Sequence, residues 1–362
     1  MKVALLNDFW PETGIGNYAF SLFNELQKKI DVEMIYLDSS RHSLKGKGIR
    51  TIRGFSFPFL RQVLNNAIVF PQKIPQGFDV YHASNQYLSH IVVKKSVSIV
   101  SCMDVISSRL RRDYAPAVGF FWNNSTKQMA RAKKIIAISH FTKQEIVKLL
   151  NIPKEKVEVI HLGFDDRAFR PFNRKSARKG LGLEESSEII LNVGSEEKRK
   201  NIATLLKAFS LVAKEKENAL LLRVGEQRQE TKRLIEGLGL QGKVKYLNNL
   251  STVQLARAYN ASDLLAFCSY YEGFGLPVLE AMACSTAVVA TKAASIPEIT
   301  GKAALLVQNP LDAEEFKQAI LSVLEKPALK KSLEHKGFAR ARQFSWKKNA
   351  EETIKVYEEA LQ

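Results

Sequence analysis

The chain has 362 residues, 45% of them hydrophobic, and its 54 Lys and Arg outnumber 37 Asp and Glu to give a formal charge of +17. This length exceeds what one core usually organises, so two domains are expected. No apolar run approaches the roughly eighteen residues of a membrane-spanning helix, and Met1 to Trp10 lacks the cationic start and cleavage site of a signal peptide, which makes the reading cytoplasmic.

From the N-terminus, strands are predicted over Lys2 to Asn7, Val32 to Leu37, Val80 to Tyr81, Ser96 to Ser101, Lys134 to Ile138 and Val157 to Ile160, with helices over Tyr18 to Lys29, Val118 to Ala132 and Phe141 to Leu150. After the first strand, Gly14-Ile-Gly16-Asn-Tyr-Ala19 satisfies G-x-G-x-x-A, and Asp38 ends the second strand where a ribose-binding acid would fall. In a dinucleotide fold the first glycine follows the strand at once. Here Asp8 to Thr13 intervene, so the pyrophosphate cradle is misplaced and a nicotinamide enzyme is disfavoured. Further on, Arg109, Arg111 and Arg112 precede Tyr114, Phe120, Phe121 and Trp122, and Lys127, Arg131, Lys133 and Lys134 follow. That interleaving suits either a surface meeting an anionic membrane or a core helix with solvated lysines. Gly163 to Asn173, polar and containing Pro171, is the predicted hinge.

The second half repeats the alternation, with strands over Glu188 to Val193, Ala219 to Arg223, Val244 to Tyr246, Asp263 to Phe267, Ala287 to Ala290 and Ala304 to Val307. Alternating strands and helices imply parallel sheets covered on both faces, hence an α/β protein of two doubly wound domains. Between the first strand and the helix Ile202 to Val212, the segment Gly194-Ser-Glu-Glu-Lys-Arg199-Lys200-Asn201 offers a diphosphate clamp. Arg199 can fork onto two oxygens and Lys200 adds a compact charge, although Glu196 and Glu197 also fit a solvated loop of mixed charge. Glu272-Gly-Phe-Gly-Leu-Pro-Val-Leu-Glu280 sets two carboxylates on either side of a glycine turn and a helix-starting proline. The N–H groups of Phe274, Gly275 and Leu276 then point at an anion from the positive helix end. A loop glutamate followed by a surface helix glutamate is the plainer alternative. Cys102, Cys268 and Cys284 are too few and scattered for a disulfide framework or a zinc site and read as core thiols. At the far end, Trp346, Ala350, Thr353, Ile354, Tyr357 and Leu361 form one apolar helical stripe.

The nonapeptide, with Cys268-Ser-Tyr-Tyr271 before it and Ala281-Met-Ala283 after it, resembles the donor-site signature of retaining glycosyltransferase family four. The resemblance implies the GT-B fold: residues 1–168 as an acceptor-side Rossmann-like domain, 169–343 as the nucleotide-sugar domain facing it across a cleft, and 344–362 as a helix crossing back. It implies donor binding by Gly16, Ser195, Leu247, Asn248, Phe274, Gly275, Leu276 and Glu280, with Glu280 on the ribose and Leu247 and Asn248 at the base. Glu272, Lys200 and Arg199 are the implied catalytic residues. Gly14, Ile15, Asn17, Tyr18, Asp104 and Glu298 fall on the acceptor side. No cofactor or metal is implied beyond the nucleotide diphosphate sugar, with GDP-mannose preferred and a UDP-sugar as the alternative.

The branch carrying Arg-Lys-Asn and a later Ser-x-Pro-Glu resembles mannosyl- or rhamnosyl-type transferases of surface polysaccharides. Its implied partners are a glycan or lipid-linked acceptor and an anionic membrane at the inner face of the cytoplasmic membrane, and not nucleic acid. The chain departs from the family at Met103, where relatives carry a histidine before Asp104. His82 and His90 are nearby in sequence, and each reads more readily as structural. Rival readings are a sugar-nucleotide epimerase of the same fold and a basic, non-catalytic protein binding nucleic acid or membrane; neither a clear acid-base pair nor a nucleic-acid module supports them.

Overall fold

The computed structural model describes residues 1–38, 44, 46–55, 64–109 and 116–362. Arg111, Arg112 and Tyr114 of the basic aromatic segment lie outside them. The chain divides into two compact units, Met1–Gly163 with Trp346–Gln362, and Phe164–Ser345.

The first unit is built on a parallel sheet of β1 (Lys2–Asn7), β2 (Asp31–Asp38), β3 (Ile49–Arg53), β4 (Val80–Ala83), β5 (Ser98–Cys102), β6 (Lys134–Ala137) and β7 (Val157–Val159), in the order β3-β2-β1-β4-β5-β6-β7. Around it run α1 (Gly14–Leu26), α2 (Pro116–Gln128) and α3 (His140–Leu150). Every residue of β4 and β5 is buried, as expected for parallel strands covered on both faces. Strand β3 was not legible in the sequence. It is an edge strand with Ile52 as its only buried residue, so it lacks an apolar run. Helix α1 starts at Gly14 instead of Tyr18, because the Thr13 hydroxyl caps it by accepting from Gly16 N at 3.0 Å.

The second unit carries β8 (Glu188–Val193), β9 (Ala219–Val224), β10 (Val244–Leu247), β11 (Leu264–Phe267), β12 (Ala287–Thr291) and β13 (Leu305–Val307), in the order β10-β9-β8-β11-β12-β13. Its helices include α4 (Arg174–Gly180), α5 (Ile202–Glu215), α6 (Gln229–Gly237), α7 (Thr252–Ala261), α8 (Leu276–Ala283) and α9 (Pro327–Ala341). Asp263, just before β11, accepts from Arg178 at 2.8 Å, Lys330 at 2.6 Å and Ile189 N at 2.7 Å, which ties α4, α9 and the start of β8 at the end of the sheet away from the motifs. All three cysteines are buried free thiols.

In each sheet the strand order reverses beside the first strand of the unit, between β1 and β4 and between β8 and β11. The crevice outside the carboxyl ends at such a point is where open parallel sheets take ligands. The sequence motifs fall there: Asp8 to Gly16 after β1, the Gly194 to Asn201 loop after β8, and Cys268 to Gly275 after β11.

The last helix, α10 (Trp346–Leu361), belongs to the first unit. Its buried face comprises Trp346, Asn349, Ala350, Thr353, Val356, Tyr357 and Ala360. Leu361, assigned to the apolar stripe from spacing alone, is instead 44% exposed. A buried polar chain pins the helix: the Tyr357 hydroxyl meets His82 Nδ1 at 2.7 Å, His82 Nε2 meets Ser101 Oγ at 2.8 Å, and Ser101 Oγ meets the Tyr18 hydroxyl at 2.6 Å. Burial pushes the His82 pKa down to about 3, so the ring is neutral, with one nitrogen donating and the other accepting. Tyr357→Phe leaves a buried ring nitrogen without its partner and is expected to lower the unfolding free energy by about 1–3 kcal/mol in denaturant titration. The loss should be the same at pH 5.5 and 8, because His82 does not titrate in that range.

Candidate active site

The β8 loop is fixed first by a buried cluster that the motif reading did not contain. Arg223, on β9 and fully buried, donates from Nη2 to the Gly194 carbonyl at 3.1 Å and from Nη1 to Asn192 Oδ1. Gly194 and Gly225 take φ of +139° and +140°, and a Cβ on Gly225 would lie 2.4 Å from the Gly194 carbonyl oxygen, so the two turns meet backbone to backbone. Glu196 is not the solvated residue its loop composition allowed. It is 9% exposed, accepting from Arg228 N at 2.7 Å, Thr231 Oγ1 at 2.6 Å and the Tyr246 hydroxyl at 2.7 Å, with Arg223 Nη2 3.7 Å away. Burial, then the bond to Glu196, pushes the Tyr246 phenol up to about 12. A lone Glu in a mixed-charge loop carries no sequence signal for this role, but an Arg inside the apolar strand Ala219–Val224 does, since a buried cation requires partners.

The loop closes at Asn201, whose φ of +56° is tolerated by Asn better than by most residues. Its amide donates to the Pro310 carbonyl at 2.6 Å and the Cys268 carbonyl at 3.3 Å, while Tyr270 N donates to the Arg199 carbonyl at 3.0 Å. These bonds lay the basic turn against the loop after β11. There Lys200 Nζ meets Glu272 Oε1 at 2.6 Å, and Arg199 Nη1 meets Glu272 Oε2 at 3.1 Å. Arg199 Nε also pairs with Glu197 at 2.8 Å. Burial alone would push the Glu272 carboxyl up, but Lys200 and Arg199 outweigh it and hold the group below its ordinary value. The carboxylate is therefore ionised and already shared by two cations.

Beyond Glu272, Ser295 Oγ lies within hydrogen-bond reach of the Glu272 and Phe274 carbonyls, at 3.0 and 2.8 Å, and holds the turn in shape. Gly275 caps α8 at φ +105°, where a Cβ would strike Ile296 Cδ1 at 2.7 Å. As cap and first helical residue, Gly275 and Leu276 have no intrahelical acceptor for their N–H groups, and Pro277 follows in the first turn. Phe274 itself is buried, 5.9 Å from Phe344 between ring centres. Glu280, one turn into α8, accepts from the Tyr259 hydroxyl at 2.8 Å, and burial pushes its carboxyl up to about 7 against that bond. Tyr259, which no motif flagged, also packs on Phe169. Ser195 and Asn248 are exposed and Leu247 partly so. The Asn248 side chain lies against the Leu247 and Gly225 carbonyls.

In the first unit, Gly14, Ile15, Gly16 and Asn17 form the first turn of α1 and not a free glycine loop. Gly16 is dictated by the Trp10 carbonyl oxygen, which would sit 1.8 Å from an added Cβ. Asn17 Oδ1 accepts from Ser21. Tyr18, expected on the acceptor side, is fully buried against Ser101 and Trp346 and cannot reach a ligand. Asp104 follows β5, and its Oδ1 accepts from Ile106 N at 3.0 Å. The preceding Met103 is 6% exposed, and its N–H donates to Gln86 Oε1 at 3.1 Å. Neither histidine replaces the family residue: His82 is interior, and His90 is bonded at both ring nitrogens, to Ser125 Oγ and the Asn66 carbonyl, each at 2.7 Å. In the second unit Glu298 lies in a short helix whose carbonyl groups accept from Arg340.

Two parallel α/β units with motif loops at both switch points define a GT-B glycosyltransferase. Residues 13–168 match the family model described as Glycosyltransferase Family 4 and residues 173–340 the one described as Glycosyl transferases group 1, so the chain belongs to the family-four group. It is 27% identical to the O-antigen chain mannosyltransferase B of Escherichia coli over 96% of each chain. In fold it resembles the sucrose-phosphate synthase of Thermosynechococcus elongatus (TM-score 0.83, 22% identity, 99% of this chain and 98% of that one). It also resembles Anabaena HepE, solved with UDP and glucose (TM-score 0.80, 18% identity, 99% and 100%). Glycosyl transfer is its activity. Among the described residues no helix is long and apolar enough to cross a membrane.

Glu280 gives the site a pH signature. The folded state keeps the Glu280 proton up to about pH 7, whereas the unfolded chain releases it near 4.5, so this group lowers stability progressively as pH rises between those values. Glu280→Gln should match the wild type near pH 5 and exceed it by about 2 kcal/mol at pH 8. Superimposable stability profiles from denaturant titrations across this range would refute the assignment.

Proposed function

We propose that the chain moves a hexose, with retention of anomeric configuration, from a nucleotide diphosphate sugar to a glycan or lipid-linked acceptor of a surface polysaccharide. The donor of choice is GDP-mannose, with UDP-sugars as the alternative. The supporting observation is the contact of Lys200 and Arg199 with one buried carboxylate, Glu272, at the carboxyl ends of β8 and β11. Likeness over nearly its whole length to an O-antigen mannosyltransferase supports the sugar and the setting.

Cleaving an anomeric carbon from a diphosphate leaves positive charge on the ring and negative charge on the phosphate, and the site must stabilise both. A diphosphate carries more negative charge than one carboxylate and draws Lys200 and Arg199 onto its oxygens, with the N–H groups of Gly275 and Leu276 at the helix start adding donors. Glu272, already ionised, is then released to orient sugar hydroxyls and to face the positive ring. Glu280 binds the ribose. The leaving group is acidic enough to depart without a general acid, so the acceptor proton passes to a donor phosphate oxygen. In this assignment residues 169–343 bind donor, 1–168 serve the acceptor and 344–362 cross back. Neither a metal nor a further cofactor is part of the assignment.

Peripheral binding to an anionic membrane, at the inner face of the cytoplasmic membrane, completes the proposal. It rests on the basic aromatic segment, in which Phe120 is 76% exposed on α2, while Phe121 packs on His90 and Trp122 on Tyr87. Lys127, Arg131 and Lys133 extend the charge.

Nucleoside diphosphate should raise the melting temperature of the wild type, and Lys200→Ala should remove most of that shift; equal protection in both proteins would rule out the clamp. A screen of nucleotide sugars for transfer and hydrolysis identifies base and sugar together, and Glu272→Ala should lose at least about a hundredfold in turnover while remaining folded. Binding to vesicles containing phosphatidylglycerol should weaken as salt rises, and salt-insensitive binding or none would retire the membrane surface.

A further inference from the structure

Among the described residues Tyr259 is the single hydrogen-bond partner of the Glu280 side chain, and no sequence motif contains it. Its hydroxyl donates to Oε2 at 2.8 Å, while Oε1 accepts from none of the described groups. Both side chains are interior, Tyr259 fully and Glu280 at 8% exposed. A carboxylate offers about four lone-pair sites, so most of its accepting capacity is left over.

The phenol is held in place because the segment before α4 is seated on it. Phe169 packs edge-on to its ring with centres 5.9 Å apart, and Thr286 Oγ1 donates to the Tyr259 carbonyl at 2.9 Å. Asn260, next along α7, accepts from Phe172 N at 2.8 Å and donates to the Arg170 carbonyl at 3.1 Å. Tyr259 therefore keeps its position whatever the charge on Glu280. Burial holds the phenol proton well above its ordinary range, so the hydroxyl always has a hydrogen to give.

Two opposed influences then decide the charge on Glu280: burial disfavours the carboxylate, and the phenol bond favours it. Cys284, one turn further along α8, is a thiol that burial keeps protonated. The short helix Ile296–Thr300, α9 and β12 also pack on α8, but among the described residues none of them brings a charged group that shifts Glu280. The balance leaves the carboxyl protonated up to about pH 7. A vicinal diol such as that of ribose brings further O–H donors, and these bond an anion more strongly than a neutral acid, so such a guest tips the group toward the carboxylate.

We infer that Tyr259 is a positioning residue for the donor: its hydroxyl fixes Glu280 Oε2, leaves Oε1 to the ribose hydroxyls, and so makes uptake of a nucleotide sugar release a proton from Glu280 to solvent. The inference rests on the reading of Glu280 as the ribose ligand and deepens it. Tyr259 itself touches no substrate; it acts through the carboxylate.

Calorimetric titration of the full chain with GDP-mannose and with UDP-glucose across pH 5.5 to 8.5 tests this, because the diphosphate diester of neither ligand loses a proton in that interval. For whichever binds, the wild-type binding constant should rise about tenfold from pH 6 to pH 8, and Glu280→Gln should abolish the rise. Tyr259→Phe should move the rise up by about one pH unit, which weakens binding about fivefold at pH 7 and by no more than about twofold at pH 8.5. A tyrosine that served the fold alone would weaken binding equally at every pH or leave it unchanged, and either result overturns the role. Phe169→Leu, which loosens the ring but keeps the phenol, should move the rise in the same direction by less. Should Tyr259→Phe fail to fold, an unmoved rise in Phe169→Leu overturns the role in its place. Wild-type binding that is lost in Lys200→Ala yet flat with pH strikes the Tyr259 role alone, whereas no binding of either nucleotide sugar to the wild type overturns the donor reading together with it.

Discussion

A single buried carboxylate shared by two cations organises the second unit. Removing an ionised carboxylate from water costs several kcal/mol, so Glu272 is tolerable only while Lys200 and Arg199 stay beside it, and they stay because the loop carrying them is sewn down on both sides. Glu196 and Arg223 fix its entrance and Asn201 its exit. The same constraint explains why the loops after β8 and β11, distant in sequence, pack as one surface. It also leaves the cations gathered and the acid ionised, which is the arrangement the proposed diphosphate binding would draw on.

The two glutamates that bracket the glycine turn differ through their surroundings and not through their own chemistry. Glu272 has cations and is held below its usual range, whereas Glu280 has one phenol and is pushed up to about 7. Environments that separate two like groups in this way assign them separate tasks. A carboxyl poised near neutrality is suited to hydroxyl recognition, and one fixed as an anion to balancing cations or a developing positive charge.

The first unit solves a different problem, which is to keep polar groups inside without leaving them unbonded. Tyr357, His82, Ser101 and Tyr18 satisfy one another and fasten the returning helix, and that consumes a histidine and a tyrosine which might otherwise be taken for site residues. Elsewhere in the unit, the Asn66 Oδ1 and Gln86 Nε2 atoms remain one bond short. The contrast between the two groups lies in satisfaction of hydrogen bonds and not in residue type.

What the sequence determined by itself was whatever short-range chemistry carries. Buried runs such as Ile189 to Leu191 identified the strands, Pro277 and Gly275 the start of a helix, and the Glu272 to Glu280 spacing the family. It did not show β3, because an edge strand with one buried residue leaves no periodic trace. It misplaced Tyr18, because a tyrosine beside a glycine motif looks the same whether its ring points inward or out. Only tertiary structure brought Glu196 to Arg223 and Tyr246, Glu280 to Tyr259, and Asp8 between Asn66 and Asn85. These partners are separated by tens of residues, and burial and pairing across such distances are decided by how strands order themselves in a sheet, which no local pattern encodes.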